Sequence, residues 1–135
     1  MHESSSRPNL RPLITWLDTT VAAVALAVVV GGITRLTESG LSITEWKPVS
    51  GVLPPMNAAE WNSAFQRYLQ IPQAQTVHQG ITLAGFKAIY WWEWVHRLLA
   101  RLVGLVIAAP YFWFLARRRI PGTLRVRLAA LPLLV

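Results

Sequence analysis

The chain has 135 residues, of which 53% are hydrophobic and only 14% charged, and its mean hydropathy is +0.38. That balance is too apolar for an ordinary soluble domain and points to a membrane protein. The 13 Lys and Arg against 6 acidic residues leave a formal charge of +7, open to nucleic acid, anionic lipid or membrane topology, and with no cysteine the chain carries no disulfide, thiolate metal cluster or thiol nucleophile.

Residues 1–12 read as a polar tail containing Arg7 and Arg11. Residues 13–33 are an apolar run interrupted only by Asp18. At 1.5 Å per residue they reach roughly 31 Å, enough for a first transmembrane helix. A signal peptide is the rival reading, but Gly31-Gly32-Ile33-Thr34-Arg35 is a poor small-x-small cleavage site, which favours a retained helix.

Residues 34–88 form a long loop. Its first part, TRLTESGLSITEWKPVSGVLPP, is rich in Gly, Pro, Ser and Thr and is expected to be irregular, ordered by Leu41, Ile43, Trp46 and Val49. Asn57 and Glu60 then stand at capping-box spacing, with Met56 and Trp61 placed for a hydrophobic staple. Trp61, Phe65, Tyr68 and Leu69 share one face, so an amphipathic helix is predicted over 57–71, ended by Pro72. It either lies on the membrane surface, covers a site beneath it, or is a packing element over the spans. His78, in a polar stretch, is expected to be exposed, and His2 to lie in a disordered tail.

Residues 89–116 are predicted as a second transmembrane helix with an aromatic outward extension, its apolar part carrying only Arg101. Residues 117–127 are a basic loop, and 128–135 read as the start of a third span, cut in mid-element. Arginines crowd both outer flanks, whereas the loop carries only Arg35, Lys47, Arg67 and Lys87. The positive-inside rule therefore puts the flanks and the N-terminus in the cytoplasm and the loop outside. Charge here records orientation, and no nucleic-acid partner is expected. The fold class that follows is all-α integral membrane: an antiparallel transmembrane hairpin with a long outward loop and the start of a third span.

The chemistry concentrates in Trp91-Trp92-Glu93-Trp94-Val95-His96-Arg97. Glu93 and His96, three positions apart, project from nearly one helix face where the helix enters the bilayer, and ionisable groups there point to function. An imidazole in such a place serves as a haem ligand, a proton relay or a hydrogen-bond partner of another helix. Below it, Ala100, Val103, Gly104 and Ile107 form a small or branched face that suits either a flat macrocycle or plain helix packing. Glu93 either approaches a macrocycle edge to exchange protons or pairs with Arg97 at four positions' spacing. Arg97 and Arg101 suit carboxylates such as haem propionates, or snorkelling to the interface. The aromatic run from Tyr90 to Trp94 matches an interfacial belt.

GGITRLTESGLSITEWKPVSGVLPP followed by FKAIYWWEWVHR resembles haem A synthase, in the cysteine-less subfamily of mitochondria and related bacteria; the similarity runs over about residues 23–114. The resemblance implies an eight-helix membrane enzyme in two four-helix halves, of which this chain is an N-terminal fragment, not expected to be active alone. The family oxidises the C8 methyl of haem O to a formyl group, making haem A for cytochrome oxidase. It carries a haem b cofactor, whose ligands belong to the C-terminal half. His96 matches the second-helix axial ligand of the substrate haem iron, Glu93 matches the essential carboxylate before it, and Arg97 and Arg101 become propionate candidates.

The implied setting is a multi-pass protein of the bacterial inner membrane. Its implied partners are the lipid bilayer, haem O synthase, the cytochrome oxidase assembly machinery and an electron-transfer protein. The chain departs from the family at Gly85, where a carboxylate commonly precedes Phe-Lys, and at IPQAQ, where Pro-Glu is frequent. A membrane haem-b electron carrier and a non-catalytic cytochrome oxidase assembly factor remain the alternatives.

Overall fold

The computed structural model describes residues 9–45, 47 and 50–117. His2, Arg7, Trp46, Val49, the arginines after Arg117 and the expected start of a third span lie outside the described residues. Within them every regular element is helical: α1 (Arg11–Leu36), a 3-10 turn (Ser50–Val52), α2 (Ala58–Leu69), α3 (Pro72–Thr76) and α4 (Leu83–Ala116). They fall into two compact units. One combines α1 through Ala25 with α4 from Leu102 onward, and the other is Leu26–Arg101.

α1 and α4 have 26 and 34 residues, or roughly 39 and 51 Å at helical rise, and both exceed a hydrocarbon core of about 30 Å. Their most apolar stretches have mean hydropathy 2.1 and 1.9, yet only 11% and 22% of those stretches is buried within the chain. The core helix of a soluble protein would be mostly covered by its own fold. Here residues such as Val21 and Val28 stay exposed, which suits lipid or neighbouring helices. Among the described residues the fold is all-helical, as expected from the sequence, and two of its helices are long and apolar enough to cross a membrane.

Both long helices outrun their apolar segments because polar caps, not hydropathy, set their ends. Asn9 Oδ1 accepts from the Arg11 amide at 3.1 Å, and Pro12 occupies the first turn. At the other end of α1, Glu38 adopts a left-handed φ of 51°. The Glu38 amide donates to the Arg35 carbonyl and the Ser39 amide to the Thr34 carbonyl, the two bonds of a Schellman stop. α4 begins at Leu83, before the expected residue 89, because Thr82 Oγ1 accepts from the Gly85 amide at 3.2 Å. A carboxylate at position 85 would sit where a capping box takes its acid. Gly85 leaves that box open, and a Cβ there would meet Ile81 Cγ1 at 3.0 Å.

In the first unit, Leu13, Trp16, Tyr111 and Phe114 form the buried core, with the Trp16 and Phe114 rings 5.6 Å apart. Pro110 lies inside α4 and has no N–H to give the carbonyl one turn back, that of Val106. Trp16 Nε1 donates to that carbonyl at 2.7 Å. Trp16→Phe keeps the aromatic packing but orphans the carbonyl, and is expected to lower unfolding stability by about 1–3 kcal/mol. Denaturation of the detergent-solubilised protein checks this; a Phe variant as stable as the parent contradicts it.

In the second unit, Trp61, Ala64, Tyr68, Ala74, Phe86 and Tyr90 form one core, so α2 and α3 dock on the first turns of α4. Each large side chain removed from water there contributes about 1.5–3 kcal/mol. The apolar face of α2 is thus spent on α4, which makes it a packing element rather than a free surface helix. Its start is as expected, Asn57 Oδ1 accepting from the Glu60 amide at 2.9 Å. Glu60 reaches back to the Met56 amide at 2.7 Å. The staple is not built: Met56 is 74% exposed while Trp61 turns into the core. Pro72 does more than stop a helix, since it also opens α3 at its first turn.

Candidate functional site

α4 carries Glu93, His96 and Arg97 beside an irregular strap, residues 40–45. Glu93 is 3% exposed. Its Oε2 accepts from the Ser42 hydroxyl and from the Ile43 amide, both at 2.7 Å. Its Oε1 accepts from Arg97 Nη2 at 2.6 Å and Nε at 2.9 Å. Four donors thus occupy a carboxylate that can take about four. Arg97 also donates through Nη2 to the Ile43 carbonyl at 2.9 Å and through Nη1 to the Glu45 carbonyl at 3.3 Å. The Glu93–Arg97 pair that helical spacing allowed is therefore formed, and together the two side chains hold the strap against α4. Most of the Arg97 fork is committed to this work, which narrows what it can offer a propionate. Arg101 donates to the Lys47 carbonyl at 3.3 Å.

His96 is half-buried and rests on α1 at Gly31. No hydrogen bond to a described residue engages its ring. His96, Glu93 and Arg97 line one groove of about 550 Å³, together with Thr34, Arg35 and Leu41. Leu41 is 60% exposed and opens onto this groove instead of ordering the strap, whereas Ser42 is nearly inaccessible and does so through Glu93.

Gln73 of α3 is a groove residue that sequence reasoning missed. Its Nε2 donates to the Glu38 carbonyl at 2.6 Å, while its buried Oε1 meets no donor among the described residues. The IPQAQ segment, noted only as a departure, is the one that carries it. Gly31, Ser42 and the Ile43 amide were missed too, although all three lie inside the GGITRLTESGLSI motif.

His78 is not the exposed loop residue its polar neighbours suggested. It is half-buried, and its Nδ1 lies 2.6 Å from the Tyr68 hydroxyl. Burial, reinforced by the nearby Glu38 and Glu93 carboxylates, pushes the Tyr68 phenol above its ordinary range. The raised value leaves this hydrogen bond intact below the unfolded value of 10.0, and its contribution is lost as pH climbs through the folded value. Tyr68→Phe is expected to cost about 1 kcal/mol at neutral pH and to flatten the alkaline fall in stability; an unchanged alkaline profile contradicts this. The aromatic run is likewise divided. Trp91 and Trp92 are exposed as a belt requires, but Tyr90 is core and Trp94 Nε1 donates to the Val52 carbonyl at 3.0 Å.

Among the described residues no three of His, Asp and Glu gather as a set for a bare metal ion. An imidazole that makes no hydrogen bond to a described residue, in a groove lined by Leu41, the polar Thr34 and Gln73, the cationic Arg35 and Arg97 and the carboxylate of Glu93, suits axial ligation of an iron already held by a porphyrin better than a bare-metal site.

Residues 14–135 match the COX15-CtaA family model, described as cytochrome oxidase assembly protein. The chain is similar to the haem A synthase of Sphingopyxis alaskensis, 54% identical over 98% of this chain and 38% of the relative. To that of Novosphingobium aromaticivorans it is 55% identical over 94% of this chain and 37% of the relative. To that of Paracoccus denitrificans it is 60% identical over 78% and 28%. The chain thus spans well under half the length of these relatives. No solved structure matches it.

Proposed function

The chain belongs to the cytochrome oxidase assembly protein family, and from that membership we propose that it is the N-terminal part of a haem A synthase, an oxidoreductase that turns the C8 methyl of haem O into a formyl group. The observation that carries the reading is the pairing of His96 and Glu93 in one groove of a chain that shares more than half its residues with such enzymes.

In this proposal haem O is the substrate and His96 its axial ligand. Ligation through a ring nitrogen would fix the position of the iron, and contacts to the propionates would stop rotation about that bond, so that the two together would decide which edge of the macrocycle faces Glu93. Taking the methyl group to a formyl group with an oxygen from water would remove four electrons and four protons; an electron-transfer partner would take the electrons, and Glu93 is the proton acceptor the reading assigns. Because both of its oxygens already hold donors, taking a proton means giving up one of them, the Ser42 hydroxyl or the Ile43 amide on Oε2. Arg97 stabilises the carboxylate until then, and Arg97 and Arg101 are the candidates for the propionates. A haem b that passes electrons belongs to the same proposal, its ligands outside this stretch. The bacterial inner membrane, a cytoplasmic N-terminus, a periplasmic loop and delivery to the cytochrome oxidase assembly machinery complete it.

A non-catalytic reading has one observation in its favour: Glu93 is so fully engaged that it also suits a purely structural strut, as in a haem carrier or assembly factor. Supplying haem O to the full-length protein and extracting the haems separates the two. Haem A appears if the synthase reading holds. Haem O recovered unchanged, with a reversible redox spectrum, supports the carrier.

A further inference from the structure

The two adjacent glycines of α1 differ in what surrounds them. A Cβ on Gly32 would meet nothing within 4 Å. A Cβ on Gly31 would lie 2.9 Å from His96 Nε2, 3.4 Å from Cδ2 and 3.5 Å from Cε1. The part of the imidazole facing Gly31 is therefore its outer, coordinating end, and the approach at Nε2 is closer than real Cβ contacts come. The obstacle is a planar ring, which cannot yield as the end of a flexible chain does; it relieves such a clash only by rotating as a whole. Within the same turn of α1, Thr34 Oγ1 donates to the Gly31 carbonyl at 2.7 Å, and Thr34 is 5% exposed.

We infer that Gly31 is a positioning residue for His96: its missing Cβ is what lets the ring lie against α1 where it lines the groove. The inference rests on the proposed role of His96 as the axial ligand of haem O. Gly31 touches no reacting atom and acts only through the ring it admits. Any side chain, even a methyl group, displaces the imidazole from this seat.

The test uses the full-length protein supplied with haem O and compares Gly31→Ala, Gly32→Ala and His96→Ala by haem bound per protein and by the optical signature of axial histidine. Gly31→Ala is expected to lose that signature as His96→Ala does, while Gly32→Ala keeps it. If Gly31→Ala matches the parent while His96→Ala loses the signature, the inference is overturned and the ligand reading stands. If His96→Ala leaves the spectrum unaltered, the ligand reading falls and takes the inference with it. Should Gly31→Ala be poorly produced, Gly31→Ala combined with His96→Ala decides. Production restored to the level of His96→Ala alone shows that the ring was the obstacle; production still poor overturns the inference.

Discussion

Glu93→Gln in the full-length protein is expected to abolish haem A formation and to loosen the strap over α4 at the same time. The amide has the shape of the carboxylate but replaces an acceptor by a donor. It must then face either Ser42 and the Ile43 amide or the Arg97 fork with N–H against N–H. Breaking a buried pair by removing one partner costs about 3–5 kcal/mol. Because the Arg97 side chain keeps 29% of its exposure, water softens the loss toward about 1–3 kcal/mol. Limited proteolysis within residues 40–57 should accelerate, and haem O should accumulate.

Ser42→Ala separates the two roles of Glu93. It removes one donor, worth about 1 kcal/mol, and leaves the charge and the Arg97 contacts in place. A chemical role for Glu93 predicts haem A output near the parent level for Ser42→Ala and none for Glu93→Gln. Parent-level haem A from Glu93→Gln contradicts any proton-accepting role.

His96→Ala is expected to show the opposite profile, a large functional loss with a small structural one. The ring holds no hydrogen bond to a described residue, and its contact with α1 is packing at Gly31. Truncation therefore removes a half-buried side chain and little else, at about 1–2 kcal/mol by the scale of cavity-forming changes. The protein should reach the membrane and resist protease as the parent does, yet carry haem O without its axial-histidine signature. Comparable damage to folding in His96→Ala and Glu93→Gln would contradict this division of labour.

What could be read from the sequence follows the distance over which each interaction acts. The Asn57–Glu60 cap and the Glu93–Arg97 pair are both local, three and four positions apart, and helical geometry alone makes them meet. The bonds from Glu93 to Ser42 and Ile43 join residues about fifty positions apart, and no local pattern encodes them. The same holds for Gly31 beneath His96: a helix wheel of α4 showed small residues below the histidine on its own helix, whereas the contact that matters is with α1. The carbonyl that Pro110 leaves without a helical donor takes one from Trp16, 90 positions away, and nothing in the local pattern links the two. His78 was misjudged because its polar neighbours suggested solvent, while a tyrosine ten positions earlier holds it. Gln73 was hidden for a different reason: an unpaired acceptor leaves no mark on sequence periodicity.

The proposed reaction requires His96 and Glu93 to act on one haem in one groove. The most direct measurement is haem extraction from the full-length protein supplied with haem O, comparing the parent with His96→Ala at equal protein. The parent should yield haem A, and His96→Ala should yield none while remaining folded. Haem A from His96→Ala at the parent level would contradict the account.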